Sequence, residues 1–337
     1  MNTFTRLLQV ELYKLVRHPL TITLLLLIIL ILSQRLNNHY NEIQHIPDLM
    51  AQIEAYQPPP PAQALTDTST DASRQMMGAF MTVDSPHKYW VVLTYPGIFQ
   101  QLWLTTDWLN IALILLAIIA VGNEFSWGTI RMAVMRGLPR YQIVLAKLFA
   151  MATIIFIYLI ICWLFLAVVG FFLTDGLNGT VSWDFLTGSF WQTQILGLGR
   201  IWFYCLTFTT FVLAINLWIG NPGPAFTLLF VFYSLSLLIY VSLLILMTFA
   251  LTSPDFVITE VKDSIWGWLI VLLPHYNGRL FIHWANPPLI ANADFTVHRL
   301  ATFLDLSTNP WRAATILLSY GLITLTLSLI SFHRREL

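Results

Sequence analysis

Six apolar runs, each bounded by polar or charged residues, dominate this chain: 20–32, 105–121, 148–173, 201–219, 225–251 and 313–332. A helix rises about 1.5 Å per residue, so roughly 20 apolar residues cross the hydrocarbon core of a bilayer. The first run is short and borrows Val16 at one end and Leu36 at the other, with Arg35 reaching back to the interface. The third is long enough to tilt. A water-soluble chain of 337 residues would not be 57% hydrophobic and only 10% charged. The expected fold class is therefore an all-α polytopic membrane protein. It has six transmembrane helices and one transmembrane domain over residues 1–337.

The segments between the runs have distinct characters. Residues 3–17 form an amphipathic pattern, with Phe4, Leu8, Leu12 and Leu15 on one side and Arg6, Lys14 and Arg17 on another. Such a helix lies along the membrane interface. Pro19 disfavours helix at His18, so an elbow is expected there and 1–19 reads as an interfacial elbow helix. No small-residue cleavage site follows Leu32, so the first span is read as uncleaved. Residues 34–105 read as an extramembrane cap: an amphipathic helix interrupted near Pro47, a polyproline stretch at Pro58 to Pro61, a polar stretch over 62–74, and an aromatic return to the bilayer from Tyr89 to Trp108. Residues 252–312 form a second non-spanning region. Within it Ile265 to Leu273 is only half a span, which predicts a re-entrant or interfacial helix stopped at Pro274. Asp107 and Asn110 open the second span, where an interface or helix-start acid is the plainer reading than an ion path.

Between the second and third runs lies a short basic connector, 122–147, with Arg131, Arg136, Arg140 and Lys147 against the single acid Glu124. Ser126 is expected to cap a short helix there, Gly137 to stop it and Pro139 to open the next one. Trp127, Ile130 and Val134 give that helix one apolar side. A short helix beneath a membrane, greasy on one side and basic on the other, is shaped to dock something.

Charge orients the chain. With the N-terminus, the connector, the turn after Gly220 and the C-terminal tail on one side, that side holds nine Arg and Lys against three acids. The other side holds the remaining eight of 17 cations and 14 of 17 acids, so overall neutrality hides about +6 facing −6. The positive-inside rule makes the first side cytoplasmic, with both termini there, although Arg200 and Arg312 run against it.

Several chemistries have no signature in the sequence. The lysines are Lys14, Lys88, Lys147 and Lys262; none is followed by Ser or Thr, so there is no P-loop. Neither a His-Glu-x-x-His motif nor a Gly-x-Ser-x-Gly elbow occurs. Cys162 and Cys205 lie inside apolar runs and form no disulfide framework. The outer histidines and Met76, Met77 and Met81 match no metal-ligand spacing. No catalytic, cofactor or metal residue is assigned, and the chain is not expected to be an enzyme. Asn178-Gly-Thr180 fits a glycosylation sequon on the outer side.

Three motifs together resemble the permease subunits of ABC-2-type (type V) ABC transporters. The first is Glu11-Leu-Tyr-Lys14-Leu-Val-Arg17 before the first span. The second runs through the connector: Gly122, Glu124, Phe125, Trp127-Gly128-Thr129, Arg131, Arg140 and Lys147. The third is the ending Phe332-His-Arg-Arg-Glu336. The resemblance implies a cell-membrane (bacterial plasma-membrane) protein that pairs with a second permease copy or paralogue. A cytoplasmic ABC ATPase on another chain would carry ATP and Mg. The region from Glu124 to Arg136, with Arg140 and Lys147 beyond it, would be the coupling element. Membrane lipid is a further expected partner, and nucleic acid is not. The implied function is export of a hydrophobic or amphipathic substrate such as a peptide, antibiotic or lipid. The alternative is a non-transporting sensor or scaffold that binds a ligand through 34–105 and 252–312. An intramembrane enzyme using Asp107 with an outer histidine such as His283 ranks last.

Overall fold

The computed structural model describes residues 3–55, 93, 97–126, 129–176, 186–252, 272–283 and 309–334. Every regular element among them is helical. In chain order these are α1 (Thr3–Arg17), α2 (Pro19–Ala55), a 3-10 turn (Gly97–Phe99), α3 (Gln100–Leu104), α4 (Thr106–Ser126) and α5 (Thr129–Met135). There follow α6 (Arg140–Gly176), α7 (Gly188–Ile219), α8 (Pro222–Thr252), α9 (Pro274–His283) and α10 (Pro310–Arg334). Five stretches are long and apolar enough to cross a membrane: Pro19–Asn41, Thr106–Glu124, Arg140–Thr174, Gly188–Ile219 and Pro310–Arg334. Within α8, Pro222–Phe232 is a shorter apolar stretch. The chain is thus a multi-pass, all-α membrane protein.

α7 is the central post, packed against α4, α6, α8, α9 and α10. Its buried side chains include Ile201, Tyr204, Cys205, Phe208, Val212 and Leu217. Tyr204 sets how closely α9 approaches, because a Cβ at Gly278 of α9 would collide with its ring. α9 is wedged between α7 and α10 and buries Tyr276, Leu280 and Ile282.

The elbow lies where Pro19 predicts it. α1 ends at Arg17 and α2 begins at Pro19. The Thr21 hydroxyl donates to the Leu15 carbonyl at 2.5 Å, and the Tyr158 hydroxyl of α6 donates to the Thr21 carbonyl. Buried polar atoms at the bend are thereby satisfied without water. α1 does not lay its apolar stripe in lipid alone: Leu8 and Leu12 pack on the core, and Phe4 meets Phe149 of α6 edge-on at 6.1 Å.

Other boundaries depart from the sequence expectations. α2 continues unbroken through Pro47 to Ala55. A proline removes one backbone hydrogen bond, and the helix-favouring Leu49, Met50, Ala51, Gln52 and Glu54 that follow carry the helix past it. α7 starts at Gly188, well before the expected 201, because Thr187 caps it by accepting from the Phe190 N–H at 3.3 Å. Phe190 and Trp191 then join Phe99 and Trp163 in an aromatic cluster whose closest pair stacks at 4.9 Å. Pro274 opens a helix, as its fixed φ and missing N–H allow. The half-span before it, the Pro58 to Pro61 stretch, the 62–74 stretch and the Asn178 sequon lie outside the described residues, apart from Leu272 and Leu273.

Candidate coupling site at the connector

Four charges from three helices meet where α4 ends. Glu11 and Lys14 are one turn apart on α1, Glu124 is in the last turn of α4, and Lys147 is in the second turn of α6. Lys14 Nζ donates to Glu11 Oε1 and Glu124 Oε1, each at 3.1 Å. Lys147 Nζ donates to Glu11 Oε2 at 2.9 Å and to Glu124 Oε2. Each carboxylate thus receives an ammonium on each oxygen, and the four groups form a closed ring of alternating sign with no net charge.

The ring is partly withdrawn from water. The side chains of Lys147, Glu11 and Glu124 are 5%, 8% and 13% exposed, whereas Lys14 is 47% exposed. Burial alone would push the Glu11 carboxyl up, but the ammoniums of Lys147 and Lys14 outweigh it and hold the group below its ordinary value. Burial alone would likewise lower Lys14, and Glu11 and Glu124 outweigh that and raise it. Inside a shielded ring each charge is the solvent of its neighbours, so deleting one strands the others.

The backbone around the ring is tied down by local chemistry. Ser126 is not an N-cap; it is the last residue of α4. The Thr129 hydroxyl reaches back to the Glu124 carbonyl at 3.0 Å and so serves a carbonyl in the last turn of α4. α5 stops at Gly137, as expected, with φ +78°. Leu138 N–H donates to Ala133 O and Gly137 N–H to Val134 O, the paired bonds of a left-handed helix stop. α6 begins at Arg140, immediately after Pro139. Gly122 lets α4 touch the α7–α8 turn, since a Cβ there would collide with Pro222.

α5 turns its apolar side inward. Ile130 is buried with Val121, Ile143, Val144, Leu213, Leu217 and Phe332, so this one cluster joins the connector to α4, α6, α7 and α10. Arg140 extends the tie by donating to the Phe332 and His333 carbonyls at 3.0 and 2.6 Å, in the last turn of α10. The outward side of α5 shows Met132, Met135 and Arg136, and Met135 is 72% exposed. Between α5 and α1 runs an open groove of about 400 Å3, with Arg6 and Val10 on one rim and Met132 and Arg136 on the other.

The sequence-selected residues therefore separate into three groups. Glu11, Lys14, Glu124 and Lys147 form the ring. Thr129 and Arg140 serve helix ends. Arg136 and Arg17 face outward, the latter with its guanidinium 4.5 Å from the Tyr13 ring centre. Phe125 lies near the end of α4 and Arg131 lies within α5, while Trp127 and Gly128 are outside the described residues. Sequence reasoning missed the ring itself and read Glu124 and Lys147 only as outward charges. The available signal was Glu11, an acid four residues before Leu15 on the apolar side of α1; a carboxylate there needs an inward partner.

No protein-family model matches the chain, and neither does any curated protein.

Proposed function

We propose that this chain is the membrane permease subunit of an ATP-binding cassette transporter. It exports a hydrophobic or amphipathic substrate, with ATP hydrolysis on a separate cytoplasmic subunit. In this reading α8 is the sixth crossing, and the connector and both termini face the cytoplasm. Two permease chains pair, and each receives one ATPase through α5.

The observation that carries the reading is the ring Glu11–Lys14–Glu124–Lys147. It fastens the end of one span, the start of the next and α1 to one another beside a short helix whose outer side is Met132, Met135 and Arg136. A push on α5 therefore reaches α4 and α6 together rather than being absorbed by a slack loop. Methionines give an adaptable apolar contact and Arg136 a charge for an acidic partner surface. Coupling of this kind needs two bundle states and a partner that binds them unequally.

Co-purification with the ATPase tests it. The variant Met135→Glu with Arg136→Glu is expected to insert and purify normally but to lose the ATPase. Retention of the ATPase by that variant would remove α5 from the docking role. If the native chain brings down no ATPase at all, the sensor reading takes over.

A further inference from the structure

α7 and α10 lie side by side and leave a groove between their outer flanks. Its volume is about 650 Å3, and its lining includes Phe211, Ile215, Trp218, Leu327, Ile330 and Arg334. The size suits one small ligand or a single hydrocarbon chain. Charge is confined to one end. Trp218 is 68% exposed one residue before α7 stops, and Arg334 is exposed in the last residue of α10. Both ends lie at the connector, because Leu217 and Phe332 share a cluster with Ile130 of α5. From Phe211 to Trp218 and from Thr324 to Arg334 the helices rise roughly 10–15 Å, about half the hydrocarbon thickness of a bilayer.

Arg334 makes no ion pair among the described residues. Nor is it needed to cap α10, since Arg140 already donates to the Phe332 and His333 carbonyls. An aromatic belt residue and a cation at the mouth of a one-leaflet apolar groove match an amphiphile with an anionic head. A second copy of this chain, placed by a two-fold axis along the groove, would instead bring Arg334 against its own equivalent.

We infer that this groove holds one acyl chain of an anionic phospholipid from the connector-side leaflet, with the headgroup phosphate on Arg334 and Trp218 at the headgroup boundary. The inference depends on the chain crossing a membrane and not on its being a transporter.

Native mass spectrometry of the full chain in mild detergent, offered equal phosphatidylglycerol and phosphatidylcholine of identical chains, tests it. The native protein should retain phosphatidylglycerol in preference. Arg334→Gln should cut that retention about tenfold, the size of one charge-assisted contact. Arg334→Lys should keep most of it, and Arg6→Gln, at a cation outside the groove, should leave it unchanged. Ile215→Trp, which sets an indole across the path of an acyl chain, should lose both lipids. Unchanged retention in Arg334→Gln, or an equal fall in Arg6→Gln, would overturn the proposal. So would full retention in Ile215→Trp. A lipid-free dimer in the native protein would overturn it too and assign the groove to a second copy.

Discussion

Two sets of buried polar groups in the bundle are treated in opposite ways. At the connector end, Glu11, Glu124 and Lys147 are shielded, yet every carboxylate oxygen of the ring has an ammonium. At the opposite end, Gln101 and Asn110 are 0% exposed, and neither amide atom of either residue has a hydrogen-bond partner among the described residues. Nearby, Thr105 and Thr106 satisfy themselves on carbonyls of the preceding turn. The first arrangement favours one geometry strongly. The second leaves polar atoms that gain from water, from a ligand or from a shift in packing. The ring is a clamp, and Gln101 and Asn110 retain an incentive to rearrange.

The contrast breaks most visibly at Lys147. Lys147→Ala leaves two shielded carboxylates facing Lys14 alone and should destabilise the protein by about 3–5 kcal/mol. The check is denaturant or thermal unfolding in detergent. Adding Glu11→Gln and Glu124→Gln should recover much of the loss, because the stranded charges go with it. A small effect of Lys147→Ala would mean that the ring is wet.

Acid should open the same clamp. The Glu11 carboxyl is held below its ordinary value of 4.5, so its contribution is complete above that value and disappears as pH falls through the lowered one. Lys14 is raised above its ordinary 10.5, so its contribution is complete below that value and is lost only at higher pH. Unfolding temperature should therefore show a Glu11-dependent fall beginning below 4.5, which Glu11→Gln abolishes.

At the other end the sign reverses. Asn110→Leu removes a shielded amide with no partner among the described residues and should be neutral or stabilising by about 1–2 kcal/mol. A clear loss of stability would show that the amide is satisfied after all and would narrow the difference between the two ends. The smallest effect is expected at the elbow. Tyr158→Phe deletes one donor to the Thr21 carbonyl and should cost about 1 kcal/mol, read from the same unfolding curves.

How far the sequence carried depended on the range of the cause. Gly137 ended a helix and Pro19 marked an elbow, because both effects act within a turn. The apolar runs likewise correspond to the long helices, since a bilayer demands a length and a composition. Where a choice rested on distant partners, reading residue by residue gave less. Glu124 and Lys147 looked like surface charges because Glu11, more than a hundred positions away, completes their ring. Arg140 looked like one more connector cation until α10 ended beside it. The packing of Phe190 and Trp191 near the start of α7 needed Phe99 and Trp163, which its own sequence cannot announce.

The alternation of sign within the ring has an electrical consequence. A closed set of two positive and two negative groups has a field that cancels within a few ångströms, so from the aqueous side it is nearly silent. A molecule approaching through salt water over a screening length of about 8 Å would instead sense the exposed guanidiniums of Arg6 and Arg136 on the groove rims. Among the described residues, the ring thus contributes cohesion and almost nothing to attraction, and long-range steering falls to outlying, wetter cations such as Arg6 and Arg136.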